Sequence, residues 1–202
     1  MSLWHSITFL GVSAFTVPGA CVVALWLAHN GRWRQMLRWL LAFGIAMMIV
    51  VITKLLFMGW HIVPPLLYNF TGISGHSASA TALYLSVAVL LTEGKPERQR
   101  MIAVALAAAL VLSVGLSRFI IKVHSASEVA TGLLLGALAA WWFCRDLAPA
   151  ARVLRGRLML AAFAAFMLMG TAGQPAPTHQ LLQQIAQSLS GRDQVYVRTT
   201  PL

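Results

Sequence analysis

The chain has 202 residues, of which 59% are hydrophobic and 10% charged, with a mean hydropathy of +0.77; an ordinary soluble domain, about 25% charged, is excluded. The 15 Lys and Arg against 5 Asp and Glu give a net charge of +10. In a soluble chain that excess would point to nucleic acid, but here the cations sit in short runs between apolar stretches, which is a membrane-topology pattern, and no nucleic-acid role is expected.

The N-terminal Met1-Ser2-Leu3-Trp4-His5 lacks the positive region of a secretory signal, so the apolar run behind it is expected to be a retained helix. Spanning helices need about 20 largely apolar residues, and six are predicted, at 6–28, 39–58, 76–91, 101–117, 124–143 and 158–172. The loops 29–38, 92–100 and 144–157 carry Arg32, Arg34, Arg38, Lys95, Arg98, Arg100, Arg145, Arg152, Arg155 and Arg157. If every segment spans, these loops share one side, which the positive-inside rule makes cytoplasmic. Residues 59–75, the link 118–123 and the tail from about Gly173 then face outward.

Trp4, Trp26, Trp39, Trp60, Trp141 and Trp142 lie near predicted helix ends and read as interfacial anchors. Gly132 and Gly136 form a G-x-x-x-G suited to close packing, within or between chains. Cys21 and Cys144 build neither a disulfide framework nor a metal site. In the tail, Leu181, Leu182, Ile185 and Leu189 recur at helical spacing before Gly191; a short amphipathic helix and a mobile extension both remain open. The predicted architecture is therefore an all-α, polytopic membrane bundle of about six transmembrane helices over residues 1–172, with an extracytoplasmic tail over 173–202.

Ionisable residues in spanning segments are expensive, by roughly 2.5–3.5 kcal/mol on insertion scales, and mark functional sites. Lys54, His76, Arg118, His124 and Glu128 all fall toward the outer side, a mixture that suits phosphate. Thr71-Gly72-Ile73-Ser74-Gly75-His76 is a turn-forming run leading into an apolar helix, so Ser74 and Gly75 are candidates to cradle phosphate oxygens at a helix N-terminus. His124 and Glu128 stand four apart, which lets the carboxylate hold one imidazole nitrogen and leave the other as nucleophile. Arg118 offers a planar fork of donors to phosphate.

These residues resemble the motifs of the type-2 phosphatidic acid phosphatase superfamily. Ser117, Arg118 and His124 match S-R-x-x-x-x-x-H-x-x-x-D, with Glu128 for the Asp; Ser74, Gly75 and His76 match P-S-G-H, with Ile73 for the Pro. In the first motif, K-x-x-x-x-x-x-R-P, Lys54 is present, but His61 and Ile62 replace Arg and Pro. The resemblance implies a lipid phosphatase without metal or other cofactor, working through a phosphohistidine. His124 is the nucleophile, His76 the general acid and then base, and Glu128 the orienting group. Lys54, Arg118, Ser74, Gly75 and His61 are the expected phosphate-binding set, His61 more weakly than the family arginine, with Lys122 as a partial substitute. It also implies a bacterial inner membrane, an extracytoplasmic site, vanadate inhibition and a substrate of the undecaprenyl pyrophosphate, phosphatidylglycerol phosphate, phosphatidate or lipid A type. Phosphate transfer to a second lipid and non-catalytic binding of a phosphorylated lipid are the alternatives.

Overall fold

A computed structural model describes residues 3–67, 69–147 and 178–198, and within them the apolar runs form seven α-helices with no strand. They are α1 (Leu3–Phe9), α2 (Ser13–His29), α3 (Trp33–Trp60), α4 (Gly75–Leu91), α5 (Glu97–Ile120), α6 (Ala126–Cys144) and α7 (Thr178–Ser190). Local chemistry sets their ends. Gly31 (φ +71) and Gly191 (φ +67) follow α2 and α7 in the left-handed region open to glycine. Ser74 caps α4 by accepting from the Ser77 N–H. Ser125 and Glu128 form a reciprocal capping box at the start of α6.

α3, α5 and α6 are long and apolar enough to cross a membrane, while α2 and α4 are shorter apolar helices of 17 residues each. The outward faces are apolar, with Leu41, Ile45 and Met48 on α3, Leu106 on α5 and Leu134 on α6 exposed, a surface that suits hydrocarbon rather than water. This is a helical membrane protein. α4 is its centre, packed by α2, α3, α5 and α6 and burying Ser77, Ser79, Thr81 and Ser86 among its apolar residues. A Cβ on Gly132 would lie 2.7 Å from the Ser74 carbonyl oxygen, and one on Gly136 would strike the Ala78 carbonyl. The G-x-x-x-G therefore serves packing within the chain, laying α6 on α4.

Three expectations need correction. The segment 6–28 is not one helix: it breaks between Phe9 and Ser13, where Gly11 comes against His76 and Val114. The break is held by the Tyr84 hydroxyl donating to the Leu10 carbonyl (2.8 Å) and by a Thr8–Ser117 hydroxyl pair at 2.6 Å. Trp39 is no interfacial anchor, since its ring is wholly buried and its indole N–H donates to the Ala20 carbonyl at 2.8 Å. The count of six spans is not reached by the described helices, and segment 158–172 lies outside the described residues.

The described parts of the basic loops do gather at one end, Arg152, Arg155 and Arg157 lying outside the described residues. Arg32, between α2 and α3, makes two bonds to Glu93, between α4 and α5, at 2.7 and 2.9 Å. Arg38 pairs with Asp146 just beyond α6. The opposite end is where the phosphate-type residues meet.

In the tail, α7 seats Leu182 and Ala186 against Phe57 and Met58 at the end of α3, while Leu181 and Leu189 stay exposed. Beyond Gly191 the chain turns back along α3, and the Tyr196 N–H donates to the Met58 carbonyl at 2.8 Å.

Candidate active site

The site is assembled around one carboxylate. Glu128 sits in the first turn of α6 with its side chain wholly buried, and an isolated buried carboxylate is costly unless fully bonded. Here it is saturated. Oε2 accepts from His124 Nδ1 at 2.7 Å and from the Ser125 N–H at 3.0 Å. Oε1 accepts from both the N–H and the hydroxyl of Thr71 at 2.6 Å. The Arg198 Nη2 lies 2.7 Å from each oxygen.

His124 lies in the turn before α6, because Ser125 caps that helix and leaves the preceding residue outside it. With Nδ1 on Glu128, the imidazole carries its proton there and presents Nε2. Burial pushes His124 below the ordinary imidazole range; the Glu128 hydrogen bond and charge raise it, and Lys54 and Arg118 lower it. The net result is a ring that is neutral near pH 7, the form a nucleophile needs.

Lys54, His76 and Arg118 join His124 from three other helices. His76 is within Coulombic reach of Arg118, His124 and Lys54, and Lys54 is within reach of Glu128 and Arg118. Each is half-buried at the helix ends. Arg118 has a buried Nε with no hydrogen-bond partner among the described residues, so part of its fork is uncommitted. Lys54 is held by the loop that precedes α4: Gly72 has φ +129, and a Cβ there would sit 2.7 Å from Lys54 Cγ. Only glycine lets the loop lie this close to the lysine. The Ile73 N–H, donating to the Thr53 hydroxyl at 3.2 Å, ties the same loop to α3.

Two of the expected phosphate ligands are otherwise engaged. Ser74 is buried, its N–H donates to the Glu128 carbonyl at 3.0 Å, and its hydroxyl caps α4 and bonds Ser77. Its groups hold α4 and α6 together, which leaves the following amides of Gly75 and His76 as the open helix N-terminus. His61 ends α3 in the left-handed conformation (φ 56), with its ring stacked on Tyr196 at 4.9 Å and set against Phe57 at 5.5 Å. The stacking sets His61 against the tail. Lys122 is exposed in the α5–α6 turn at φ 55. Among the described residues no three His, Cys, Asp or Glu side chains gather as a metal site.

Thr71 and Arg198 were not among the sequence candidates. Thr71 only opens the turn-forming run that pointed to Ser74 and Gly75, and Arg198 lies 70 residues from the carboxylate it binds. The capping role of Glu128 was readable as Ser125-x-x-Glu128.

The PAP2 superfamily pattern matches residues 64–152, the stretch that holds His76, Arg118, His124 and Glu128. A relative from Klebsiella pneumoniae, called an uncharacterized 22.5 kDa protein in the cps region, is 35% identical over 97% of this chain and 96% of its own length. The chain belongs to the PAP2 superfamily. Members are typically phosphatases, so membership supports a phosphoric ester hydrolase for this PAP2 chain. No solved structure matches it.

Proposed function

We propose that this PAP2 chain is a multi-pass lipid phosphatase that forms a phosphohistidine at His124. The observation that carries the reading is the 2.7 Å bond from His124 Nδ1 to a buried carboxylate, beside a half-free guanidinium, a lysine and a second imidazole. His124 Nε2 attacks phosphorus in line, and the phosphorus–oxygen bond to the lipid breaks. His76 gives its proton to the departing oxygen. Water then attacks the phosphohistidine, His76 takes the water's proton, and phosphate leaves with His124 restored. Lys54, Arg118 and the amides of Gly75 and His76 hold the equatorial oxygens, charge stabilisation that requires no metal.

In this reading α2 to α6 and the segment 158–172 make six crossings of a bacterial inner membrane, with the basic loops cytoplasmic and the site extracytoplasmic. Supporting it, the chain leaves α6 at the basic end and packs α7 at the site end. Residues 1–172 form the bundle and 173–202 the tail. The substrate is a lipid mono- or diphosphate, with undecaprenyl pyrophosphate favoured by the cps-region setting named for the relative.

The test is phosphate release by purified protein from undecaprenyl pyrophosphate, phosphatidylglycerol phosphate, phosphatidate and lipid A, with His124→Ala alongside. Release by the wild type, its loss in His124→Ala, and an acid-labile phosphoprotein intermediate are expected. Binding without release by the wild type rejects the enzyme reading, and phosphate passed to an added lipid acceptor in place of water makes the chain a transferase.

A further inference from the structure

The tail reaches the site through a chain of contacts that no local motif announces. α7 packs on the end of α3, with Gly59 so close that a Cβ would lie 3.3 Å from Ser190 Cβ. After Gly191 the backbone turns back. The Tyr196 N–H then bonds the Met58 carbonyl, and the Tyr196 ring is covered by His61 on one side and approached by the Arg192 guanidinium at 4.7 Å. Two residues further, Arg198 enters a cavity of about 120 Å³ that it shares with His61, Asn69, Phe70 and Thr71. Its Nη2 meets both Glu128 oxygens at 2.7 Å and the Thr71 hydroxyl at 3.2 Å, while Nη1 donates to the Asn69 carbonyl at 3.3 Å.

The chemistry of the proposed reaction explains why a cation belongs there. Glu128 must be a carboxylate to orient His124, yet His124 must be neutral to attack, so the imidazole cannot also serve as the counter-charge. Among the described residues Glu128 has two ion-pair partners, His124 and Arg198. Arginine keeps its charge at every working pH. Its planar fork also fixes the plane of the carboxylate, because one nitrogen bridges both oxygens while the other is tied to the Asn69 backbone. The glutamate, one methylene longer than the aspartate of the superfamily pattern, extends between His124 on one side and Thr71 with Arg198 on the other.

We propose that Arg198 is a positioning residue of this site: the C-terminal tail delivers its guanidinium to Glu128 and thereby fixes the carboxylate that orients His124. The proposal rests on the phosphatase reading for its effect on turnover, but its effect on His124 can be read without any substrate. The charged and titratable groups that meet around His124 are Lys54 from α3, His76 from α4, Arg118 from α5, Glu128 from α6 and Arg198 from the tail. Removing Arg198 takes away one positive charge and leaves Glu128 with the imidazole as its only ion-pair partner among the described residues. The protonated form of His124 then gains, and its titration midpoint rises.

The experiment uses the full chain in detergent micelles, with ¹⁵N-histidine NMR to follow His124 and phosphate release from undecaprenyl pyrophosphate and dioleoyl phosphatidate to follow turnover. In Arg198→Ala the His124 midpoint is expected to move up in pH. The kcat is expected to fall about 10- to 100-fold, the loss of one charge-assisted bond, and to recover in part with millimolar guanidinium. Arg198→Lys, which keeps the charge but has no second nitrogen to hold the Asn69 carbonyl while the first meets Glu128, is expected to fall between the two. An unmoved His124 midpoint in both variants overturns the proposal, as does a loss in Arg198→Ala that guanidinium leaves unchanged while Arg198→Lys is fully active. A wild type that releases no phosphate while Arg198→Ala still shifts His124 sinks the phosphatase reading and leaves the positioning contact standing.

Discussion

Replacing Glu128 by Gln changes charge with almost no change in shape, and the geometry states what it costs. The carboxylate receives donors on both oxygens: His124 Nδ1 and the Ser125 N–H on Oε2, both groups of Thr71 on Oε1, and Arg198 on each. An amide has one oxygen. If that oxygen faces Thr71, the NH₂ group opposes the Ser125 N–H, and His124 must turn Nδ1 into an acceptor, which protonates Nε2 and removes the attacking lone pair. If it faces His124, the NH₂ opposes the Thr71 N–H, whose carboxylate partner is gone. One charge-assisted bond lost at His124 is worth about 1.5–3 kcal/mol, so kcat should fall roughly 10- to 150-fold. Leaving Arg198 without its buried counter-charge costs about 3–5 kcal/mol of stability. Steady-state phosphate release together with a thermal melt measures both. The acid limb of activity should also move to lower pH, because Glu128 is the group that raises His124. A Glu128→Gln enzyme with wild-type kcat would refute the orienting role of this carboxylate.

Three further outcomes follow from other contacts. Because His124 lies below its ordinary value of 6.5, and the neutral ring attacks, the acid limb of kcat/KM should have its midpoint below pH 6.5; a midpoint above 6.5 in the rate profile contradicts this. Gly72→Ala places a Cβ against Lys54 at a φ of +129; inhibition by vanadate should weaken about tenfold, a loss of roughly 1.4 kcal/mol, with the fold intact by circular dichroism. Gly136→Val drives a side chain into the Ala78 carbonyl and Thr81 and should lower stability by about 1–3 kcal/mol, seen as a reduced Tm without a change in KM.

What could be read in the sequence was what depends on neighbours along the chain. The His124-x-x-x-Glu128 spacing gave the hydrogen bond, since four residues bring side chains together at a helix start. The basic loops marked a common end because charge is placed for topology, and Arg32–Glu93 and Arg38–Asp146 join there. The break at Leu10–Val12 was hidden because a tertiary bond from Tyr84 stabilises it in a run that is largely apolar. Trp39 misled for a similar reason: its position near a helix start says anchor, but the Ala20 carbonyl on the neighbouring α2 gives its indole a buried partner. Arg198 was invisible because its partner is set by how α7 docks.

The charge of the assembled site favours one class of phosphate over another. Apart from the imidazoles, Lys54, Arg118 and Arg198 stand against the single carboxylate of Glu128, leaving an excess of two positive charges in a half-buried site. A phosphomonoester brings about two negative charges at neutral pH, its second pKa being near 6, and balances that excess on binding; a terminal pyrophosphate adds about one more on its inner phosphate and also covers the excess. A phosphodiester brings one, leaves a buried cation unpaired, and forgoes interaction energy that grows as water is excluded. A bound dianion favours the protonated form of a neighbouring imidazole, so the substrate that fills the site also helps equip His76 as its general acid. If the chain is the phosphatase proposed, turnover of monoesters and pyrophosphates over diesters is expected from the charge count itself, without any contact to the lipid chain.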